Sequence, residues 1–160
     1  MLQRQKAPLA VIAATSSVAS EKDMAAGTGV VLSAADGRTL AKLAERVERS
    51  DPVAAAYMAA VAAAREAARL GACRLTLLTD SERLVRELSR EIAAAPEHRA
   101  KHLETRCLPN QFRHVRVVRV PPRRNLAARR LACLGFASGP LHRGPEVTAL
   151  ELPLHFPDAA

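Results

Sequence analysis

The sequence predicts an α/β domain, and three observations support this. A short apolar run from Cys73 to Thr79 has the composition of a strand buried on both faces, and a helical pattern follows it directly. The Asp36-Gly37 pair lies between two apolar segments, which is a strong hairpin signal. Hydrophobic residues make up 49% of the 160 residues. That is enough for one domain with a core of its own.

Three strands are predicted before the first long helix. The first is Ala7 to Ala14, and small and polar residues suggest a loop over Val18 to Ala26. The second is Gly27 to Ala34, and the Asp-Gly turn leads from it into Arg38 to Arg49. Periodicity alone favours a helix for this last segment, whereas the turn favours a strand paired with its predecessor. We expect a third strand.

Two helices flank the strand that ends at Thr79. Asp51 and Pro52 have the residue types of an N-cap and first helical position, and Gly71 ends the helix after Leu70. No residue from Pro52 to Ala64 is charged, so we expect this helix to be buried nearly all round. Ser81 is the expected N-cap of the next helix, which is predicted to run to about Ala95.

The second half of the domain is predicted to add a connector, a strand and a helix. The connector, Pro96 to Gln111, is basic and contains a possible short helix from His98 to Arg106. Its His98 and His102 have i, i+4 spacing, but no third metal ligand is apparent. His114 to Val120 reads as an arginine-bearing strand near a sheet edge. Asn125 can cap a last helix, from Leu126 to about Phe136.

The chain is predicted to divide into a domain, residues 1–137, and an extended C-terminal arm, residues 138–160. The arm is rich in Pro and Gly, and Leu150, Leu152 and Leu154 alternate within it. We expect it to lie on its own domain or on a second copy of the chain, which would make a homodimer.

The charge distribution indicates the kind of partner that the protein binds, and its cysteines indicate the cellular compartment. The net charge is +8, and the segment from Arg99 to Arg130 alone carries ten basic residues and one acid, a net +9. This localisation suggests a polyanionic partner, although a solvated face in an arginine-rich protein is the alternative. Three cysteines without a CxxC pair suggest reduced thiols in the cytoplasm. No apolar run is long enough to span a membrane.

Four short motifs follow one another on the predicted elements. They are Thr15-Ser16-Ser17, Ala55-Ala56-Tyr57, Asp80-Ser81, and Asn125-Leu-Ala-Ala-Arg-Arg-Leu-Ala132. With the element order β-β-β-α-β-α-β-α, they resemble the ribonuclease H family. The resemblance covers about residues 7 to 137. It implies a five-stranded mixed sheet in the order 3-2-1-4-5, with helices on both faces.

The departures from the family pattern bear on catalysis. The resemblance implies cleavage of the RNA strand of an RNA–DNA hybrid by two divalent metal ions held by four carboxylates. The matching positions here are Thr15, Ala56, Asp80 and Arg129, so only Asp80 is an acid. One carboxylate does not hold two Mg²⁺ ions, and a guanidinium repels them. We therefore expect no bound metal and no cofactor.

Three functions remain open. The first is non-catalytic binding of RNA, DNA or a hybrid, with contacts to the phosphate backbone because aromatic residues are scarce. The second is a divergent nuclease that uses Asp80 with Mg²⁺ or Mn²⁺, and the third is a structural or dimerisation scaffold. In the first case we expect Asp80 to pair with Arg129. The predicted nucleic-acid contacts are then Ser16, Ser81, Arg116, Arg119, Arg123, Arg124, Asn125, Arg129 and Arg130.

Overall fold

The computed structural model of the chain describes residues 9–138 and 142–144. Its elements follow the predicted order, with short 3-10 turns between some of them and one further strand at the end. The strands and helices are β1 (Ala10–Ser20), β2 (Ala25–Ala34), β3 (Thr39–Glu48), α1 (Pro52–Arg69), β4 (Arg74–Thr79), α2 (Glu82–Leu88), α3 (Arg99–Cys107), β5 (His114–Arg119), α4 (Leu126–Ser138) and β6 (His142–Gly144).

The sheet is mixed, and its strand order is β5-β4-β1-β2-β3-β6. β4 runs parallel to both β1 and β5, whereas β2 is antiparallel to β1 and β3. The predicted order 3-2-1-4-5 is therefore confirmed, with β5 at an edge as expected. The sequence did not predict β6, which pairs antiparallel with Lys42 to Ala44 at the other edge.

The first hairpin is longer than predicted. The segment from Val18 to Ala26, expected as a loop, forms the end of β1 and the start of β2, and only residues 21–24 turn. Met24 closes this turn with a φ of 47°. The prediction was wrong because strand pairing uses backbone groups, so small side chains do not prevent it. Ala25 and Ala26 are fully buried.

Turns and helix caps match the sequence signals at most other boundaries. The Asp36-Gly37 turn joins β2 to β3, and Gly37 has a φ of 88°. The Asp51 carboxylate accepts hydrogen bonds from the first backbone N–H groups of α1. However, α2 ends at Leu88 instead of Ala95. Two residues beyond it, Arg90 has a φ of 62°, a left-handed conformation that stops a helix.

The two longest helices lie on opposite faces of the sheet. The alanines of α1 pack against the apolar side chains of β1, β2 and β4, which form the main core. On the other face α4 crosses β1, β2 and β3. Its backbone approaches so closely that a Cβ added at Gly29 would overlap the carbonyl oxygen of Ala128. This contact places the first turn of α4 over the middle of the sheet.

The predicted arm falls largely outside the described residues. Leu150, Leu152 and Leu154 belong to that part, as does any dimer contact they make. Among the helices within residues 9–138, none is both long and apolar enough to cross a lipid bilayer.

Candidate functional site

The polar residues at the C-terminal end of β4 form the centre of the candidate site. Thr79 ends β4 and is paired with Thr15 of the parallel strand β1. Asp80 follows and is half-buried, and its Oδ2 accepts a hydrogen bond of 2.7 Å from the Oγ of Ser16. Ser16 is only 2% exposed. Ser16 on the neighbouring strand β1 therefore fixes the position of the Asp80 carboxylate.

Thr15 lies on the opposite face of β1 from Ser16, because successive strand residues alternate. Its Oγ1 donates a 3.0 Å hydrogen bond to the carbonyl oxygen of Leu78. The sequence comparison matched Thr15 to the first family carboxylate, but the side chain that contacts Asp80 is Ser16. β1 continues to Ser20, so Thr15-Ser16-Ser17 lies within the strand and not at its end, where the sequence analysis expected it.

The segment between β5 and α4 crosses the end of β4. At one end the backbone N–H of Val120 donates to the carbonyl oxygen of Thr79 over 2.9 Å. At the other end Asn125 Nδ2 donates to the carbonyl oxygen of Thr15 over 2.7 Å, and Asn125 is only 3% exposed. The residues between these anchors therefore pass over the edge that holds Asp80. The side chain of Asn125 ties α4 to β1 and is not open to a ligand.

Four exposed arginines surround this crossing, and we call them the basic edge. Arg123 and Arg124 lie in the crossing segment, and Arg129 and Arg130 lie in the first turns of α4. Within residues 9–138 and 142–144, none of the four has a carboxylate partner within 4.0 Å. The predicted ion pair between Asp80 and Arg129 is therefore wrong.

The burial pattern of α4 shows where Arg129 lies on the helix. Ala128, Leu131 and Ala132 face the sheet and are buried. Arg129 lies about 100° round the helix from Ala128, at the side of this buried face, and it is exposed. The charges of the basic edge are thus presented to solvent.

The two arginines of β5 lie on opposite faces of the sheet. Val115 and Val117 pack against the core beneath α1, so Arg119 shares their face and Arg116 points to the other. Arg119 lies 3.4 Å from the Glu82 carboxylate, whereas exposed Arg116 has no acidic partner in the described part of the chain. Of these two arginines of β5, Arg116 is therefore the one that adds an unpaired charge to the basic edge.

Ser81 and Ala56 have local roles. The Oγ of Ser81 accepts a hydrogen bond from the backbone N–H of Leu84, so it caps α2 as predicted. Ala56 is 4% exposed and presents only a methyl group from α1. Neither residue supplies a charge to the site.

Comparison with known proteins places this arrangement in a family. The family model described as reverse transcriptase-like matches residues 14–135. The chain belongs to the ribonuclease H-like family. No curated protein sequence matches it.

Several solved ribonuclease H structures resemble the chain over most of their length. The N-terminal RNase H domain of a Mycobacterium tuberculosis protein is 27% identical, with a TM-score of 0.75 over 80% of this chain and 94% of that one. RNase H1 from Halobacterium salinarum is also 27% identical, with a TM-score of 0.74 over 78% and 96%. LC11-RNase H1, solved with an RNA/DNA hybrid, is 20% identical, with a TM-score of 0.73 over 79% and 96%.

The residues of this ribonuclease H-like chain do not fit the two metal ions that the family resemblance implies. Such ions need several oxygen ligands. The matched positions provide a threonine, an alanine, an arginine and Asp80, and one oxygen of Asp80 already accepts a hydrogen bond from Ser16. Elsewhere in residues 9–138 and 142–144, no group of three His, Cys, Asp or Glu side chains is arranged to hold a metal.

A buried polar cluster on the α1 face was missed by the sequence analysis. Glu87 is fully buried, and it accepts hydrogen bonds from Tyr57 Oη at 2.6 Å and Arg83 Nε at 3.0 Å. His98 Nε2 lies 2.9 Å from Asp51 Oδ2, and His102 Nδ1 lies 3.0 Å from Tyr57 Oη. The only sequence signal was the i, i+4 spacing of the two histidines. This cluster joins α2 and α3 to α1.

The cluster also shifts the acidity of its members. Burial alone raises the pKa of Glu87, but hydrogen bonds from Tyr57 and Arg83 and the nearby cations outweigh it and hold the pKa below its usual range. Burial and the Glu87 carboxylate raise the pKa of Tyr57. Glu87 is therefore ionised at neutral pH, and its role is to hold helices together.

Proposed function

We propose that this ribonuclease H-like domain binds nucleic acid and does not cleave it. The observation that carries the proposal is the composition of the site, where the segment that crosses the end of β4 and the first turns of α4 carry exposed arginines with no acidic partner in the described residues. A surface of this kind attracts phosphate groups. A two-metal nuclease site has the opposite character, because it concentrates negative charge to hold cations.

The loss of catalysis follows from the ligand set. Of the four positions that carry carboxylates in the family, only Asp80 retains one. Arg129 replaces the last of them, and its charge disfavours a divalent ion at close range. A non-catalytic role also accounts for the hydrogen bond from Ser16 to Asp80, since this bond occupies an oxygen that a metal would need.

Contacts to the phosphate backbone are the expected mode of binding. The whole chain contains three Phe, one Tyr and no Trp, and Tyr57 is fully buried, so stacking on bases contributes little. Arg116 and the four arginines of the basic edge instead offer charged donors for phosphate groups. Structural relatives have been solved with an RNA/DNA hybrid and, for a foamy viral protease-reverse transcriptase, with double-stranded DNA. The same class of partner is proposed here.

Fluorescence anisotropy with labelled oligonucleotides tests the proposal. Single strands, duplexes and RNA–DNA hybrids of one sequence are titrated in EDTA at low salt. We expect binding to every class without a metal, and a steep loss of affinity as salt is raised. Absence of binding to all of them at low salt contradicts the proposal.

A further inference from the structure

Part of the sheet face that carries α4 is left uncovered by that helix. The backbone of α4 lies against Gly27 and Gly29 of β2. These glycines pair with the second half of β1, at Ser16 and Val18. Ile12 points to the same face but lies roughly 13 Å before Ser16 along the strand. Although β1 has a strand on each side, Ile12 is 37% exposed, so this end of the face is open.

Apolar side chains form the middle of the uncovered area. The core residues of β1, β2 and β4 face α1, so the residues that alternate with them face the other way. Five apolar residues of four adjacent strands share this second face within two rows of the sheet, and four of them are paired side by side. We call these five residues the open patch: Ile12, Ala14, Val31, Leu78 and Val118.

The border of the open patch is positively charged. Arg74 of β4 and His114 and Arg116 of β5 point to the same face, and all three are exposed. The strands that carry the patch contain no acidic residue. An apolar surface with a cationic border is suited to a segment that combines apolar side chains with acids.

The chain leaves β6 at the level of the open patch. Gly144 pairs with Lys42 of β3, which is in register with Val31 and therefore with Ala14. Because β6 is antiparallel to β3, it runs toward the row of Ile12 and away from the rows that α4 covers. Three strand spacings separate β6 from β1, roughly 14 Å, and five extended residues cover that distance.

The residues that follow Gly144 have a composition that matches this surface. The terminal segment, residues 145–160, contains three acids and no Lys or Arg. Its large apolar residues alternate, and an extended chain places alternate residues on one side: Leu150, Leu152, Leu154 and Phe156. Such a chain measures roughly 20 Å from the first of these to the last, and the four strands of the open patch span roughly 14 Å. Its length therefore suffices to cross the patch.

We propose that the terminal segment docks on the open patch of its own domain, with its alternating apolar side chains against the patch and its acids toward the cationic border. The same chain is favoured over a second copy because β6 delivers the segment beside the patch. A connection this short gives a local concentration in the millimolar range. The inference does not depend on nucleic-acid binding.

Limited proteolysis of the full chain with chymotrypsin tests the docking. This protease cuts after Leu150 and Leu154, and mass spectrometry follows the release of the C-terminal residues. Ile12→Ser removes an apolar contact from the open patch, and Leu152→Ser removes one from the terminal segment. Each should speed the release about tenfold, because partly exposing one side chain of this size weakens the docked state by about that factor.

Two features of the chain make the comparison specific. Leu152 precedes Pro153, which blocks chymotrypsin, so Leu152→Ser removes no cleavage site. Met24→Ser replaces an exposed apolar residue of the β1–β2 turn and should leave the rate unchanged. Thermal unfolding confirms that Ile12→Ser is folded. If it is not, Leu152→Ser gives the same readout without altering the domain.

The outcomes separate the occupants of the open patch. Slow release from a monomeric protein that both variants accelerate supports docking within one chain. Equal rates for the unaltered protein and the two variants overturn the inference. Release that becomes faster on dilution, from a protein that light scattering shows to be a dimer, assigns the patch to a second copy and overturns docking within one chain.

Discussion

Salt dependence provides a quantitative prediction for the basic edge. The basic edge and Arg116 together present five exposed arginines that lack an acidic partner in the described part of the chain. If each neutralises one phosphate of a single strand, log K falls against log salt with a slope of about −3.5. Raising salt from about 50 to 200 mM should then weaken binding roughly a hundredfold.

Removing two of these charges should reduce the slope by a defined amount. In the double variant Arg123→Gln/Arg124→Gln, three contacts remain and the expected slope is about −2, so the same rise in salt weakens binding only roughly twentyfold. Neither side chain has an acidic partner within residues 9–138 and 142–144, so the change should leave stability nearly unaltered. Anisotropy titrations at four or five salt concentrations measure both slopes.

A matched control uses two exposed arginines at the far end of the sheet. Arg38 follows the β2–β3 turn and Arg74 begins β4, at the opposite end from Asp80. Arg38→Gln/Arg74→Gln removes the same net charge and should leave the slope near that of the unaltered protein. Equal slopes for the two double variants would refute a localised site, because they would show that only total charge matters.

Two further predictions concern the scaffold. Gly29→Ala should destabilise the domain by about 1–3 kcal/mol or more, because the added Cβ meets the backbone of Ala128 and α4 must move, and urea unfolding measures this. Glu87→Gln should remove a stabilising charge whose folded-state pKa is lowered, so its contribution is present above about pH 4.3 and is lost as pH falls through the folded value. Thermal unfolding of both proteins across that range should therefore show converging stabilities on acidification, and a constant difference would contradict the role given to Glu87.

Local sequence signals predicted most of the fold. The Asp36-Gly37 turn, the Asp51 and Ser81 caps and the apolar run of β4 each depend on neighbouring residues, so they can be read from the sequence directly. The end of β1 could not be read in this way. Its small residues carry no periodic pattern, and they form a strand because β2 pairs with them and α4 covers them closely.

The site was harder to predict because it depends on contacts across the chain. A shift of one residue along β1 moves a side chain to the other face of the sheet, and this separates Thr15 from Ser16. The orientation of Arg129 depends on which face of α4 is buried. The cluster around Glu87 joins residues 30 or more positions apart, and no local pattern marks such pairs.

Incubation of a labelled RNA–DNA hybrid with the protein in Mg²⁺ or Mn²⁺ tests the central claim most directly. Bound and free hybrid are separated on a native gel, and strand lengths are read on a denaturing gel. The account predicts a shifted hybrid whose RNA strand remains intact with either metal. Shortened RNA that disappears when Asp80→Asn replaces the unaltered protein would contradict it.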